Sequence, residues 1–120
     1  VEVRGARSAR DAEKAARQVA NSPLVKTAFF GCDPNVGRII GAAGASGAAL
    51  DPNRLELFVG GVKIAARGTI LVEALEEAQA AMRNREFTVR LELKLGTGAA
   101  TILTSDLSHD YIRINAEYTT

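Results

Sequence analysis

The sequence predicts an α/β (α+β) domain in which a mixed or antiparallel sheet has helices packed on it. Two alternating apolar/polar runs separated by Gly60-Gly61 mark a β-hairpin over 55–65. A second alternation, Phe87 to Leu95, continues through Gly96-Thr97-Gly98 to Ala99–Thr104 and marks another hairpin over 87–104. Apolar residues recur at helical spacing near 8–21, 35–45 and 70–83. With 120 residues, one domain over 1–120 is expected, burying roughly two thirds of its unfolded surface.

Val1 to Arg4 alternates and reads as a short strand ended by Gly5. Ser8 opens the first helix, its hydroxyl accepting from the Asp11 amide, and the helix runs to about Asn21. The stripe of Ala9, Ala12, Ala16, Val19 and Ala20 is small enough to let this helix lie close to a sheet or another helix. Arg10, Lys14 and Arg17 are expected to face outward as a solvated basic face, the weaker alternative being a phosphate or nucleotide docking face. Asn21-Ser22-Pro23 stops the helix, because the residue before a proline is pushed out of the α region. Ser22 then caps a new turn with Pro23 at its first position, and Leu24 to Phe29 fits either a short helix or a buried strand.

Cys32-Asp33-Pro34-Asn35 is a turn, and Asn35 or Asp33 caps a helix through Arg38, Ile39 and Ile40 into Ala45. Asp51-Pro52-Asn53 turns the chain into the first hairpin, where Val59 is expected opposite Val62 and Leu57 opposite Ile64. Thr69 caps the next helix, with Leu71, Ala74, Leu75, Ala78 and Met82 on its inner face. At the C-terminus Tyr111, Ile114, Asn115 and Tyr118 have helical spacing while Ile112, Ile114 and Ala116 alternate; Ser108 as a cap favours helix.

Fifteen basic against fourteen acidic side chains leave +1, so no overall field recruits nucleic acid or an anionic membrane. No apolar run reaches the roughly 20 residues of a membrane helix. Cys32 is the sole cysteine and the N-terminus lacks a signal-like apolar core, so a reducing, cytoplasmic compartment is expected. The chain opens on strand-like VEVR without an initiator methionine, and part of a longer protein is expected.

Gly41-x-x-Gly44-x-x-Gly47 invites a phosphate-loop reading, but neither GxGxxG after a strand nor GxxxxGK[ST] is present. Close helix packing with a stop at Gly47 is the expectation, and a nucleotide or acyl-phosphate site over 38–47 the weaker one. Arg38, beside Asp33 and Asn35, suits bidentate carboxylate recognition, either of a substrate or of Asp33 itself. Asp106, His109 and Asp110 cluster, but one histidine without a nearby cysteine gives no metal site, and Ser108-His109-Asp110 in succession is not a triad.

Three runs point further: ANSPLVKTA over 20–28, DPNVGRI over 33–39 and DLSHDYIRINAEYTT over 106–120. Together and in order they resemble the ornithine acetyltransferase/glutamate N-acetyltransferase family of arginine biosynthesis, specifically the C-terminal part of its β chain. The resemblance implies a two-chain enzyme made by self-cleavage, with a threonine at the start of the β chain as nucleophile and its terminal amine as base. It implies transfer from N2-acetylornithine to glutamate without a metal or bound cofactor, acetyl-CoA being a co-substrate in some members, and an oxyanion hole from the complementary α chain. It implies a hetero-oligomer in the intact enzyme. The nucleophile is expected outside this chain, which alone is then inactive.

The resemblance places Asn115 and Thr120 on the amino-acid substrate, an amide and a hydroxyl suited to an α-carboxylate and an acylated amine. Asp33, Asn35 and Arg38 remain a pocket or structural loop. The family commonly has tryptophan where Val36 stands and an acidic or polar residue where Cys32 stands, which bears on pocket shape more than reaction type; Cys32 is expected as a small buried apolar residue. A ligand-binding module of the same fold without catalysis is the alternative.

Overall fold

The computed structural model describes residues 1–107. In chain order it contains β1 (Glu2–Ala6), α1 (Ala9–Asn21), α2 (Pro23–Phe30), α3 (Val36–Gly44), β2 (Glu56–Val59), β3 (Val62–Ala66), β4 (Thr69–Ile70), a 3-10 turn (Val72–Ala74), α4 (Leu75–Met82), β5 (Val89–Glu92) and β6 (Gly98–Thr101). The strands form one mixed sheet in the order β4-β3-β2-β5-β1-β6, with β1 parallel to β5 and the other pairs antiparallel. The expected mixed α+β architecture is therefore present.

One face of the sheet supplies Val3, Leu57, Val59, Ile64, Val89, Leu91 and Leu93 to a core completed by Ala12, Ala16 and Val19 of α1, Val25 and Phe29 of α2, Ile39 of α3 and Met82 of α4. The small side chains of α1 let its axis come close to β1 and β6, so backbone proximity compensates for their small area. Ala15 replaces the expected Ala9 on that stripe: Ala15 is fully buried and Ala9 exposed. The other face is polar, as one side of an antiparallel pairing commonly is. Arg90 stacks over the Phe58 ring at 4.2 Å from its centroid and Lys63 lies 5.5 Å from it. Arg4 pairs with Glu2 and Arg90 with Glu92 along the same face.

Four expectations are corrected. Gly5 does not end β1; at φ 69 it bulges the strand against β6 between Val3 and Ala6. The 87–104 hairpin does not form, because β1 enters between its arms, Glu2 lying opposite both Arg90 and Thr101. Leu93 and Leu95 donate to Arg4 and Gly5 carbonyls at 2.8 and 2.7 Å, so the connection crosses the end of β1 before β6 begins. In the first hairpin Val59 faces Val62 as expected, but a register shift puts Leu57 opposite Ala65 and not Ile64. Thr69 caps no helix: it pairs with Ala66 in β4, and α4 starts only at Leu75 with no side-chain cap.

Glu56 on β2 receives Lys63 Nζ at 2.6 Å and Lys94 Nζ at 2.5 Å. Hydrogen bonds from Lys63 and then Lys94 push its carboxyl down to about 2, against a smaller opposing effect of burial. A carboxyl lowered on folding stabilises above its unfolded value near 4.5 and loses that contribution as pH falls toward 2. Because the lysines are 42% and 50% exposed, the contribution is about 1–2 kcal/mol after screening, less than the shift alone implies. Urea unfolding at pH 6 and pH 2.5 should show Glu56→Gln losing less stability on acidification than wild type, by most of that amount, since the folded value of about 2 lies below the lower pH. Equal losses would rule the cluster out as an acid-sensitive contact.

Candidate functional site

Two of the three characteristic runs meet at the corner where α1, α2 and α3 join. Ser22 serves both helices there. Its amide donates to Val19 O at 3.3 Å, closing α1, and its Oγ accepts from the Val25 amide at 3.3 Å, opening α2. Pro23 occupies the first position of α2, where a missing N–H costs nothing. Leu24 to Phe29 is thus helical, with Phe29 edge-on to Phe87 at 5.4 Å between centroids.

After α2, Cys32 takes a left-handed conformation at φ 50 and the Asp33 amide donates to Ala28 O at 2.9 Å. Asn35 then caps α3: its Oδ1 accepts from the Arg38 amide at 3.0 Å and its Nδ2 donates to Asp33 Oδ2 at 3.0 Å. The Asp33 carboxylate thereby fixes which end of the Asn35 amide points at the helix. Arg38 turns away from Asp33. Its Nη1 donates to Leu24 O at 3.1 Å, tying α3 to α2, and of the two carboxylate partners read from the sequence, a substrate or Asp33, the ion pair with Asp33 is absent among the described residues.

Arg38 borders a groove of about 500 Å³ shared with Gln18, Asn21, Ser22 and Leu24. Amide, hydroxyl and guanidinium groups line it together, a set able to hold a carboxylate. On the other side of α3 a smaller apolar cleft of about 210 Å³ is lined by Val36, Ile40, Leu55 and Ile70. Val36 therefore stands between helix and sheet edge and not in the polar groove. Cys32 is half-buried, less than expected, and its Sγ lies 3.6 Å from Met82 O. The expectation of close packing along the glycine run is corrected as well: a Cβ at Gly41 or Gly44 would meet nothing within 4 Å among the described residues, whereas Gly47, at φ 84, follows the end of α3.

Asn115 and Thr120 lie outside the described residues, as do His109 and Asp110. What leads to them is described. The Ile102 amide donates to Val1 O at 2.8 Å, Thr104 Oγ1 donates to Ala20 O at 2.7 Å, and the Leu107 amide donates to Lys26 O at 3.1 Å. Residues 104–107 are thus fastened to the same corner, after Ile102 pairs with Val1. Sequence reasoning missed it, since 102–104 read as the end of a strand and no local pattern signals a bond spanning 84 positions.

The model of the ArgJ family matches residues 1–120. The chain is 52% identical over 121 residues to the arginine biosynthesis bifunctional protein ArgJ of Geobacter sulfurreducens, covering 100% of this chain and 31% of that protein. It is 45% identical over 128 residues to the glutamate N-acetyltransferase of Methanothermobacter thermautotrophicus, covering 100% of this chain and 32% of that protein. The crystal structure of the ArgJ protein from Bacillus halodurans superposes with a TM-score of 0.89 at 35% identity, over 98% of this chain and 55% of that one. The chain thus spans about a third of the length of these two curated relatives.

Proposed function

Because the chain belongs to the ArgJ family, we propose that it is the C-terminal portion of the β chain of an arginine-biosynthesis acetyltransferase, moving acetyl from N2-acetylornithine to glutamate. The observation that carries this reading is the end-to-end match to the family at up to 52% identity. In this reading a threonine hydroxyl outside the chain attacks the N-acetyl carbonyl, its proton passing to the neighbouring terminal amine. Collapse of the tetrahedral intermediate breaks the C–N bond and releases ornithine; the glutamate amine then attacks the ester and restores the threonine. Oxyanion donors come from the complementary α chain. Acetyl-CoA is admitted as a co-substrate and no cofactor or metal is invoked.

Residues 1–120 act as one domain that completes the substrate pocket and contacts the rest of the enzyme, a cytoplasmic hetero-oligomer. Among the described residues, one cluster of buried side chains joins all the helices to the sheet, which supports a unit of this kind. Asn115 and Thr120 hold the amino-acid substrate, while Asp33, Asn35 and Arg38 build the corner beside it. The complete two-chain enzyme containing this chain should transfer acetyl from N2-acetylornithine to glutamate. In it, Asn115→Ala should lower kcat/KM by about tenfold, the loss of one polar substrate contact. A folded complex without transfer would refute the reading and favour a ligand-binding module; unchanged kinetics in Asn115→Ala would reduce that residue to structure.

A further inference from the structure

We infer that the groove between α1 and α3 is a binding site for a small organic acid, whose carboxylate is received by the Arg38 guanidinium and the side-chain amides of Gln18 and Asn21. Arg38 is held ready for this. Its Nη1 donates to Leu24 O at 3.1 Å, which fixes the guanidinium plane against the start of α2. Nε and Nη2 lie together on one edge of that plane and make no hydrogen bond or ion pair among the described residues. Two parallel N–H donors in that arrangement match the two oxygens of a carboxylate. With the fork already pinned, less side-chain freedom is lost when a ligand arrives.

Gln18 and Asn21, three residues apart on α1, share one face of that helix and line the groove. Neither side-chain amide has a hydrogen-bond partner among the described residues. Ser22 Oγ accepts from the Val25 amide at 3.3 Å and keeps its own proton to donate. Among the described residues no acidic side chain lines the groove, so the Arg38 charge is left without a counter-charge there. An anion is selected. One guanidinium balances one carboxylate, whereas a phosphate group carries close to two charges. At about 500 Å³ the groove has the size of a small-molecule site. Gly41 keeps it open: glycine is a poor choice for a helix interior, and a Cβ there would meet nothing within 4 Å among the described residues, so internal packing does not call for it.

The test uses the complete enzyme, succinate as the probe, and phenylglyoxal modification of Arg38 read by peptide mass mapping. About 10 mM succinate should slow modification of Arg38 about fivefold, as for a site half-filled at about 2 mM, and succinamide, its uncharged counterpart, should slow it less than about twofold. Arg17, which pairs with Glu13 and does not line the groove, should react at an unchanged rate. Asn21→Leu removes one amide and should raise the half-protecting succinate concentration about tenfold, as for one hydrogen bond to a charged group. Should that variant not fold, Gln18→Leu is judged by the same criterion. Absent protection, equal slowing at Arg17, or protection that the variant leaves unchanged overturns the inference. An Arg38 unreactive before succinate is added also overturns it, since a group of the protein itself then fills the groove. Stronger protection by inorganic phosphate at equal ionic strength overturns the assignment to a carboxylate. Because modification at Arg38 is read and acetyl transfer is not, failure here leaves the proposed function untouched.

Discussion

Gly98→Ala should cost about 3 kcal/mol of stability, a fall in Tm of roughly 15 °C for a domain of this size. A Cβ at Gly98 would stand well under 3.0 Å from the carbonyl oxygen and carbon of Ser8, and 2.9 Å from the Ala9 amide nitrogen. All three are backbone atoms, so no rotamer change relieves the overlap. Ser8 is also the N-cap of α1, with Oγ accepting from the Asp11 amide at 3.1 Å. Moving it away would disturb the cap, worth about 1 kcal/mol, and separate the small stripe of α1 from β6. Thermal unfolding measures the effect. Gly41→Ala is the control, because a Cβ there meets nothing within 4 Å among the described residues and alanine favours a helix interior. A Tm for Gly98→Ala within a few degrees of wild type would show that β6 and α1 are less tightly seated than the structure has them.

Gly98 also shows what was legible in the sequence and what was not. Gly96-Thr97-Gly98 is correctly read as a connection, because glycine spacing is local information. Its local reading as a hairpin turn fails. The glycines are there to let the chain pass over β1, where a Cβ at Gly96 would meet Ala6 O at 2.7 Å. The partner that demands them lies more than eighty residues earlier, and strand order depends on such distant pairings. Caps fare better for the same reason: Ser8, Ser22 and Asn35 each accept from an amide three residues ahead, within reach of a sequence pattern. Thr69 shows the limit of that pattern, since pairing with Ala66 at the sheet edge outcompetes its role as a cap.

The candidate site divides in the same way. Asp33, Asn35 and Arg38 come together because they lie within one turn and the start of one helix. The choice of Leu24 O over Asp33 as the partner of Arg38 depends on how α2 packs against α3, which spacing does not encode. Thr104 had no signal, its acceptor being 84 positions away. The family resemblance names Asn115 and Thr120, which lie outside the described residues.

Gly60→Ala should be the second most damaging of these substitutions, at about 2–3 kcal/mol. The Gly-Gly turn places Gly60 at φ 58 and Gly61 at φ 81, a left-handed pair that suits the twist of a two-residue hairpin. Alanine in that conformation costs about 1–2 kcal/mol. A further 1 kcal/mol or so arises because a Cβ at Gly60 would overlap the Ala81 Cβ of α4. The two contributions separate in a double-mutant cycle with Ala81→Gly, which removes the overlap and leaves the backbone cost. A coupling of about 1 kcal/mol is expected between the sites; additive losses would mean that the turn does not seat α4. The consequence extends beyond the turn. Met82, the next residue of α4, presents its carbonyl to Cys32 Sγ at 3.6 Å, and Cys32 begins the turn that ends in the Asn35 cap. If α4 is displaced, the Arg38 amide, held by Asn35 Oδ1, should lose hydrogen-exchange protection in Gly60→Ala and regain it in the double variant.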